Sequence, residues 1–162
     1  PLIAASPLPY FPESQVPAAM NRADMEWVRE EFVAATRRAS ACGFDMLELH
    51  CAHGYLLAGF LSPLTNRRAD AYGGDVAGRL RYPLEVFTAM RAAWPADRPM
   101  SVRISATDWA EGGLSDADSL AIARAFTQAG ADLIDVSTGQ TVADAQPMYG
   151  RMFQLPWADM LR

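Results

Sequence analysis

Between residues 21 and 137 the apolar positions recur at helical intervals and then at strand intervals, three times in succession. Asn21 and Asp24 stand at capping-box spacing ahead of Met25, Val28, Phe32, Ala35 and Ala39, and Gly43 ends that helix. Phe44 to His50 is a run of strand length. Pro83, read as a first-turn proline, predicts a second helix whose Leu84, Phe87, Met90 and Trp94 share a face, with Pro95 as its stop. Met100 to Ser105 is the next strand. Ser115 and Asp118 cap a third helix that runs through Ile122 and Phe126 to Gly130, and Leu133 to Ser137 forms a third strand. The order α-β-α-β-α-β predicts an α/β fold with a parallel sheet, closed as a barrel or open as a doubly wound sheet.

Side-chain parity along the strands separates these two. Leu47 and Leu49 oppose Met46, Glu48 and His50; Val102 and Ile104 oppose Ser101, Arg103 and Ser105; Ile134 and Val136 oppose Asp135 and Ser137. An open sheet covered by helices on both faces is apolar on both parities. A polar parity repeated in three strands favours the interior of a β/α barrel near its carboxyl mouth, the place where barrel enzymes keep their chemistry. The alternative is a structural network in which these polar groups satisfy one another.

Composition narrows the picture. With 162 residues, 51% hydrophobic and 20% charged, the chain suits one globular domain, and no apolar stretch approaches the roughly 20 residues of a membrane helix. Fourteen basic against 19 acidic residues give a net charge of −5 with no basic run, so neither nucleic acid nor a membrane is expected as a partner. Cys42 and Cys51, without a CxxC pair, read as free thiols of a cytoplasmic protein. The chain opens Pro1-Leu2-Ile3, without an initiator Met, as a piece of something longer would.

The candidate chemistry starts at His50-Cys51-Ala52-His53-Gly54-Tyr55, at the carboxyl end of the first strand. Two imidazoles three residues apart can converge on a metal ion or on an anionic or carbonyl oxygen. A metal needs a third ligand, for which only Glu48 or Asp135 offers itself, and no HExxH or Cys-rich pattern supports it, so no metal is expected. Purely structural histidines are the competing reading. Tyr55 can donate a proton to a developing carbanion or be an exposed turn residue. Arg103, on a polar strand parity, calls for an anion: a flavin that gains negative charge on reduction, or a structural pair with Glu48 or Asp135. Arg67, Arg68, Arg79 and Arg81 could grip a phosphate, but Asp70, Asp75 and the turn glycines among them favour a self-paired loop.

These residues also carry a resemblance. Glu48-Leu49-His50, His53-Gly54-Tyr55-Leu56-Leu57, Phe60-Leu61-Ser62-Pro63, Asn66-Arg67-Arg68 with Asp70 and Tyr72-Gly73-Gly74, then Val102 to Trp109 and Gly130 to Ser137, closely resemble the Old Yellow Enzyme family of flavin-dependent ene-reductases. Ser6-Pro7-Leu8-Pro9 and Met152-Phe153-Gln154 look most like the reductase part of bifunctional salicylyl-CoA and 2-aminobenzoyl-CoA monooxygenase/reductases. The resemblance implies that residues 1–162 are the central half of one FMN-binding TIM (β/α)8 barrel, truncated at both ends. It implies FMN and NAD(P)H as cofactors, a small-molecule substrate such as an activated alkene or an aromatic CoA thioester, and a homo-oligomer. By the same resemblance His50 and His53 bind the substrate's activating oxygen, Tyr55 delivers the proton and Arg103 stabilises the flavin. The strands that bind the flavin phosphate have no counterpart here, so the piece alone is expected to be inactive. A purely structural or interaction role for a truncated barrel is the competing function. Gly78 departs from the family, which has Asn there in a Ser-x-x-Asn-Arg run, and this puts the capping of the loop in doubt.

Overall fold

The computed structural model describes residues 2–162; Pro1, with which the chain opens, lies outside them. A parallel three-stranded sheet carries the fold, with β3 (Leu47–Cys51), β4 (Met100–Ser105) and β5 (Leu133–Ser137) adjacent in chain order. Ahead of it, β1 (Ile3–Ala4) and β2 (Ala18–Ala19) form a two-residue parallel pair, followed by α1 (Arg22–Ala41). Between the strands lie α2 (Leu56–Leu61), α3 (Val76–Ala93) and α4 (Asp116–Gln128), and α5 (Leu155–Leu161) closes the chain.

Both expected capping boxes are formed, at Asn21 with Asp24 and at Ser115 with Asp118. The first helix buries Met25, Val28, Val33 and Thr36, while Ala35, expected on the buried stripe, is exposed. Val33 and Thr36 carry the buried stripe on from Met25 and Val28.

Two element boundaries differ from expectation. The first strand begins at Leu47, because its ladder starts where Leu47 pairs with Met100 and its amide donates to the Pro99 carbonyl. Phe44 and Met46 lie outside it and are exposed, while the far end extends to Cys51 opposite Ile104. The second helix begins at Val76, seven residues before Pro83, which sits inside it. Asp75 starts that helix, its carboxylate accepting the Gly78 amide at 2.9 Å. Pro83 cannot donate to the Arg79 carbonyl, a loss tolerated because Leu80, Tyr82, Val86 and Phe87 around it are buried.

The apolar parity of the sheet is buried under the helices, while the polar parity is covered at Ser101, Ser105 and Ser137 and open at β3. Leu49, Cys51, Val102 and Ile104 pack into a core with Leu57, Phe60, Tyr82, Val86, Phe87, Ile122 and Phe126 from the helices. Each fully buried large side chain among them contributes about 1.5–3 kcal/mol relative to exposure. The opposite parity of β3, with Glu48 and His50, is exposed. In β5 the expected division of faces is blurred: Leu133 is exposed, Ile134, Asp135 and Val136 are half-buried, and Ser137 is buried. A sheet edge with no further strand against it leaves both parities partly open.

Candidate active site

Strand register lines up the polar parity into rows. His50 pairs with Arg103 and Arg103 with Asp135, while Ser105 pairs with Ser137 one step nearer the carboxyl ends. The first row puts a guanidinium between an imidazole and a carboxylate. Arg103 Nε lies 3.3 Å from Asp135 Oδ2, outside hydrogen-bond geometry, and is buried without a hydrogen-bond partner among the described residues. The expected structural pair is therefore present but leaves a donor unused. Glu48 is engaged elsewhere, accepting the Ser101 hydroxyl at 2.8 Å.

Past the end of β3 the chain turns back over the sheet through two left-handed residues, His53 at φ 61° and Gly54 at φ 72°. A side chain at Gly54 would run into the Gln140 carbonyl, so glycine is required there. The His53 backbone is pinned: its amide donates to the Ser105 hydroxyl at 2.9 Å, and that hydroxyl donates to the Gly139 carbonyl at 3.1 Å. The turn brings the three candidates together. His50 and His53 meet edge to face with ring centroids 5.2 Å apart, and the Tyr55 ring centroid lies 5.1 Å from that of His50. Tyr55 occupies the N-cap position of α2 without capping it and is 64% exposed, so its phenol is free of the helix.

Burial and then the Arg103 charge hold both imidazoles below the ordinary histidine range, with His50 adding to the effect on His53. Both are therefore neutral at pH 7. His50 Nδ1 accepts the Ala52 amide at 3.3 Å, which puts its ring proton on Nε2. His53 Nε2 lies 2.6 Å from the Ser137 hydroxyl, which also accepts from Gln154 Nε2 at 3.2 Å. Ser105, Ser137 and Gln154 are the site residues that motif reading did not single out. Two of them were visible as the polar parity at the strand ends, whereas Gln154 reaches the site only through the return of the tail. Among the described residues no three His, Cys, Asp or Glu side chains gather around a possible metal position.

An apolar cleft of about 660 Å³ opens beside the turn, with Tyr55 and Gly54 on one wall and Ile3, Leu8, Tyr10 and Leu64 among the others. None of the four arginines lines it. Arg68 is paired with Asp70 and donates to the Ala5 and Met20 carbonyls; buried Arg79 donates to the Leu61 and Gly74 carbonyls and lies 3.3 Å from Asp118. Asp75 caps α3 and pairs with none of them. Gly78 restores what its departure put in doubt: Asp75 caps through the Gly78 amide, and a Cβ there would collide with the Gly73 carbonyl.

An unpaired guanidinium donor beside two neutral imidazoles suits an electron-rich, acceptor-bearing ring, so the donor set fits a flavin. Comparison with known proteins bears on the same point. The chain is 42% identical over 161 residues to an NADPH dehydrogenase of Geobacillus sp. (strain WCH70), covering 99% of this chain and 46% of that protein. It is 40% identical over 161 residues to an NADPH dehydrogenase of Listeria monocytogenes serotype 4a (strain HCC23), covering 99% and 47%. The chain thus spans about half the length of the curated relatives it matches. Among solved structures it resembles a 2-naphthoyl-CoA reductase bound to 2-naphthoyl-CoA, with a TM-score of 0.83 and 25% identity over 98% of this chain and 25% of that one. It also resembles morphinone reductase in complex with tetrahydroNAD, with a TM-score of 0.75 and 25% identity over 99% and 47%. The sequence model of the NADH:flavin oxidoreductase / NADH oxidase family matches residues 6–155, and the chain belongs to that family, the group of the Old Yellow Enzymes.

Proposed function

We propose that residues 1–162 are the central part of one flavin-dependent NAD(P)H oxidoreductase barrel and carry its substrate-activating groups. The observation that supports this most is the convergence of His50, His53 and Tyr55 at the carboxyl end of β3, beside an arginine with a donor to spare. Arg103 would hold FMN, which when bound takes hydride from NAD(P)H and passes it to an electron-poor carbon. His50 and His53, neutral at pH 7, would donate N–H groups to the carbonyl oxygen of an activated alkene and stabilise the charge that builds there. Tyr55 would supply the proton to the neighbouring carbon from its exposed phenol. Hydride and proton together saturate the double bond.

For the substrate we favour an aromatic CoA thioester. Support comes from the apolar cleft next to Tyr55 and from the likeness to 2-naphthoyl-CoA reductase. A cytoplasmic enzyme acting as a homo-oligomer fits the two free thiols and the exposed polar parity of β3. No helix is long and apolar enough to cross a membrane among the described residues.

Stopped-flow kinetics on the protein at its natural length tests the reading by separating its two half-reactions. His50→Ala should slow flavin reoxidation by an alkene about 10²-fold or more while leaving flavin reduction by NAD(P)H nearly unchanged, and a chelator should have no effect. Equal loss in both half-reactions would refute the assignment, as would stoichiometric zinc whose removal abolishes activity.

A further inference from the structure

His53 is useful as a donor toward a substrate oxygen only if its proton sits on the ring nitrogen that Ser137 does not engage. The surroundings of Ser137 decide this. Ser137 is 2% exposed, so water does not share its hydroxyl, and the hydroxyl has two partners among the described residues: Gln154 Nε2 at 3.2 Å and His53 Nε2 at 2.6 Å. The Gln154 amide nitrogen can only donate. If His53 Nε2 also donated, the Ser137 proton would be left buried without an acceptor, at a cost of about 1–3 kcal/mol. The hydroxyl therefore donates to His53 Nε2, which places the imidazole proton on Nδ1.

We propose that Gln154 and Ser137 are positioning residues that lock His53 as the Nδ1–H tautomer, opposite to the Nε2–H tautomer of His50. The two rings, held at opposite nitrogens, then each keep an N–H that no group among the described residues uses. His50 is fixed by the Ala52 amide at Nδ1, and His53 by Ser137 at Nε2. The tail is built to make this contact. Gln154 occupies the N-cap position of α5 yet makes no capping bond with its side chain, which reaches Ser137 instead. Trp157, one turn further on, packs edge to face on Trp109 with centroids 4.9 Å apart, and the Gln146 amide donates to the Trp109 carbonyl at 2.9 Å. These contacts seat residues 146–157 over the ends of β4 and β5.

The proposal rests on the functional reading above for its consequence in catalysis, and on hydrogen-bond geometry alone for the tautomer. Long-range ¹H–¹⁵N correlation of ¹⁵N-histidine protein at its natural length, with His53 assigned through a His53→Gln control, should show Nδ1 protonated and Nε2 bare. Gln154→Glu replaces the donor by an acceptor that takes the Ser137 proton, so Ser137 must then accept from Nε2–H and the tautomer should reverse. With it, flavin reoxidation by an alkene should slow about 10²-fold, the usual loss of one oxyanion donor, while flavin reduction by NAD(P)H stays unchanged. Ser137→Thr, which keeps the hydroxyl, should retain both the tautomer and the rate. An Nε2–H signal in the unmodified protein, or an unchanged tautomer in Gln154→Glu, would overturn the proposal. Reversal of the tautomer without a change in the alkene half-reaction would leave the lock standing and sink the role of His53 as a substrate donor.

Discussion

The loop from Asn66 that runs into the start of α3 at Arg81 and the turn from His50 to Tyr55 are both dense in polar side chains, and both carry the family resemblance, yet they do opposite things with their hydrogen bonds. In the loop the polar groups are spent on the chain itself. Asn66 donates to the Phe60 and Tyr72 carbonyls, Arg68 ties the Ala5 and Met20 carbonyls, just past β1 and β2, to Asp70, and Arg79 bridges Leu61, Gly74 and Asp118. Around the turn each chemical group keeps something back: a ring nitrogen on each histidine, a free phenol on Tyr55, the Nε of Arg103. Motif strength is equal in the two regions. What separates architecture from chemistry is whether the donors are already satisfied.

That contrast predicts a division of mutational effects. In the turn, Tyr55→Phe keeps the ring against His50 and removes one proton, so the alkene half-reaction should fall about 10²- to 10⁴-fold, with stability within about 0.5 kcal/mol of the parent. Loss in the NAD(P)H half-reaction as well would show Tyr55 to be a packing residue. In the loop the order inverts. Arg79→Met leaves two carbonyls and Asp118 without their partner and should cost about 2–4 kcal/mol in denaturant unfolding, with both half-reactions of the folded fraction preserved. A stable Arg79→Met protein with impaired catalysis would erase the contrast. Smaller again is Gly78→Ala, at about 1–3 kcal/mol, because the new methyl meets a backbone carbonyl that must shift.

Much of this was legible in the residues. The capping boxes and the three parallel strands follow from local spacing and are present in the structure, with the polar parity clear in β3 and blurred in β5. Pro83 misled because a proline marks a helix start only when nothing upstream starts it first, and Asp75 did. Phe44 and Met46 look like strand residues, but a strand extends only as far as its neighbour, and the neighbour begins at Met100. The short helix from Leu56 to Leu61 and the pair of Ile3–Ala4 with Ala18–Ala19 are set by tertiary contact rather than by periodicity. His50, His53 and Tyr55 could be chosen from their order in the chain. The dependence of His53 on Gln154, 101 residues away, could not, since it exists only once the tail lies over the strand ends.

The smallest expected effect is a pH dependence near neutrality that the turn contributes, whereas Asp70 in the loop, held below the ordinary carboxylate range by its bond to Arg68, adds its own only in more acid solution. Burial and Arg103 hold both imidazoles below their ordinary value, so the folded protein resists protonating them while the unfolded chain takes up protons near pH 6.5. Where the unfolded state binds more protons, stability rises with pH. The contribution of the two histidines is thus complete above about pH 6.5 and is lost as the pH falls from there through the lower folded-state values. His50 is exposed, which screens its share and keeps the slope shallow. Urea unfolding at pH 7.5 and 5.5, compared with a variant carrying His50→Gln and His53→Gln, isolates the effect from the carboxylates that titrate in the same range. The parent should lose more stability than the variant on acidification. Equal losses would mean that the imidazoles are as free to charge in the fold as out of it, and that the open face imposes no constraint on them.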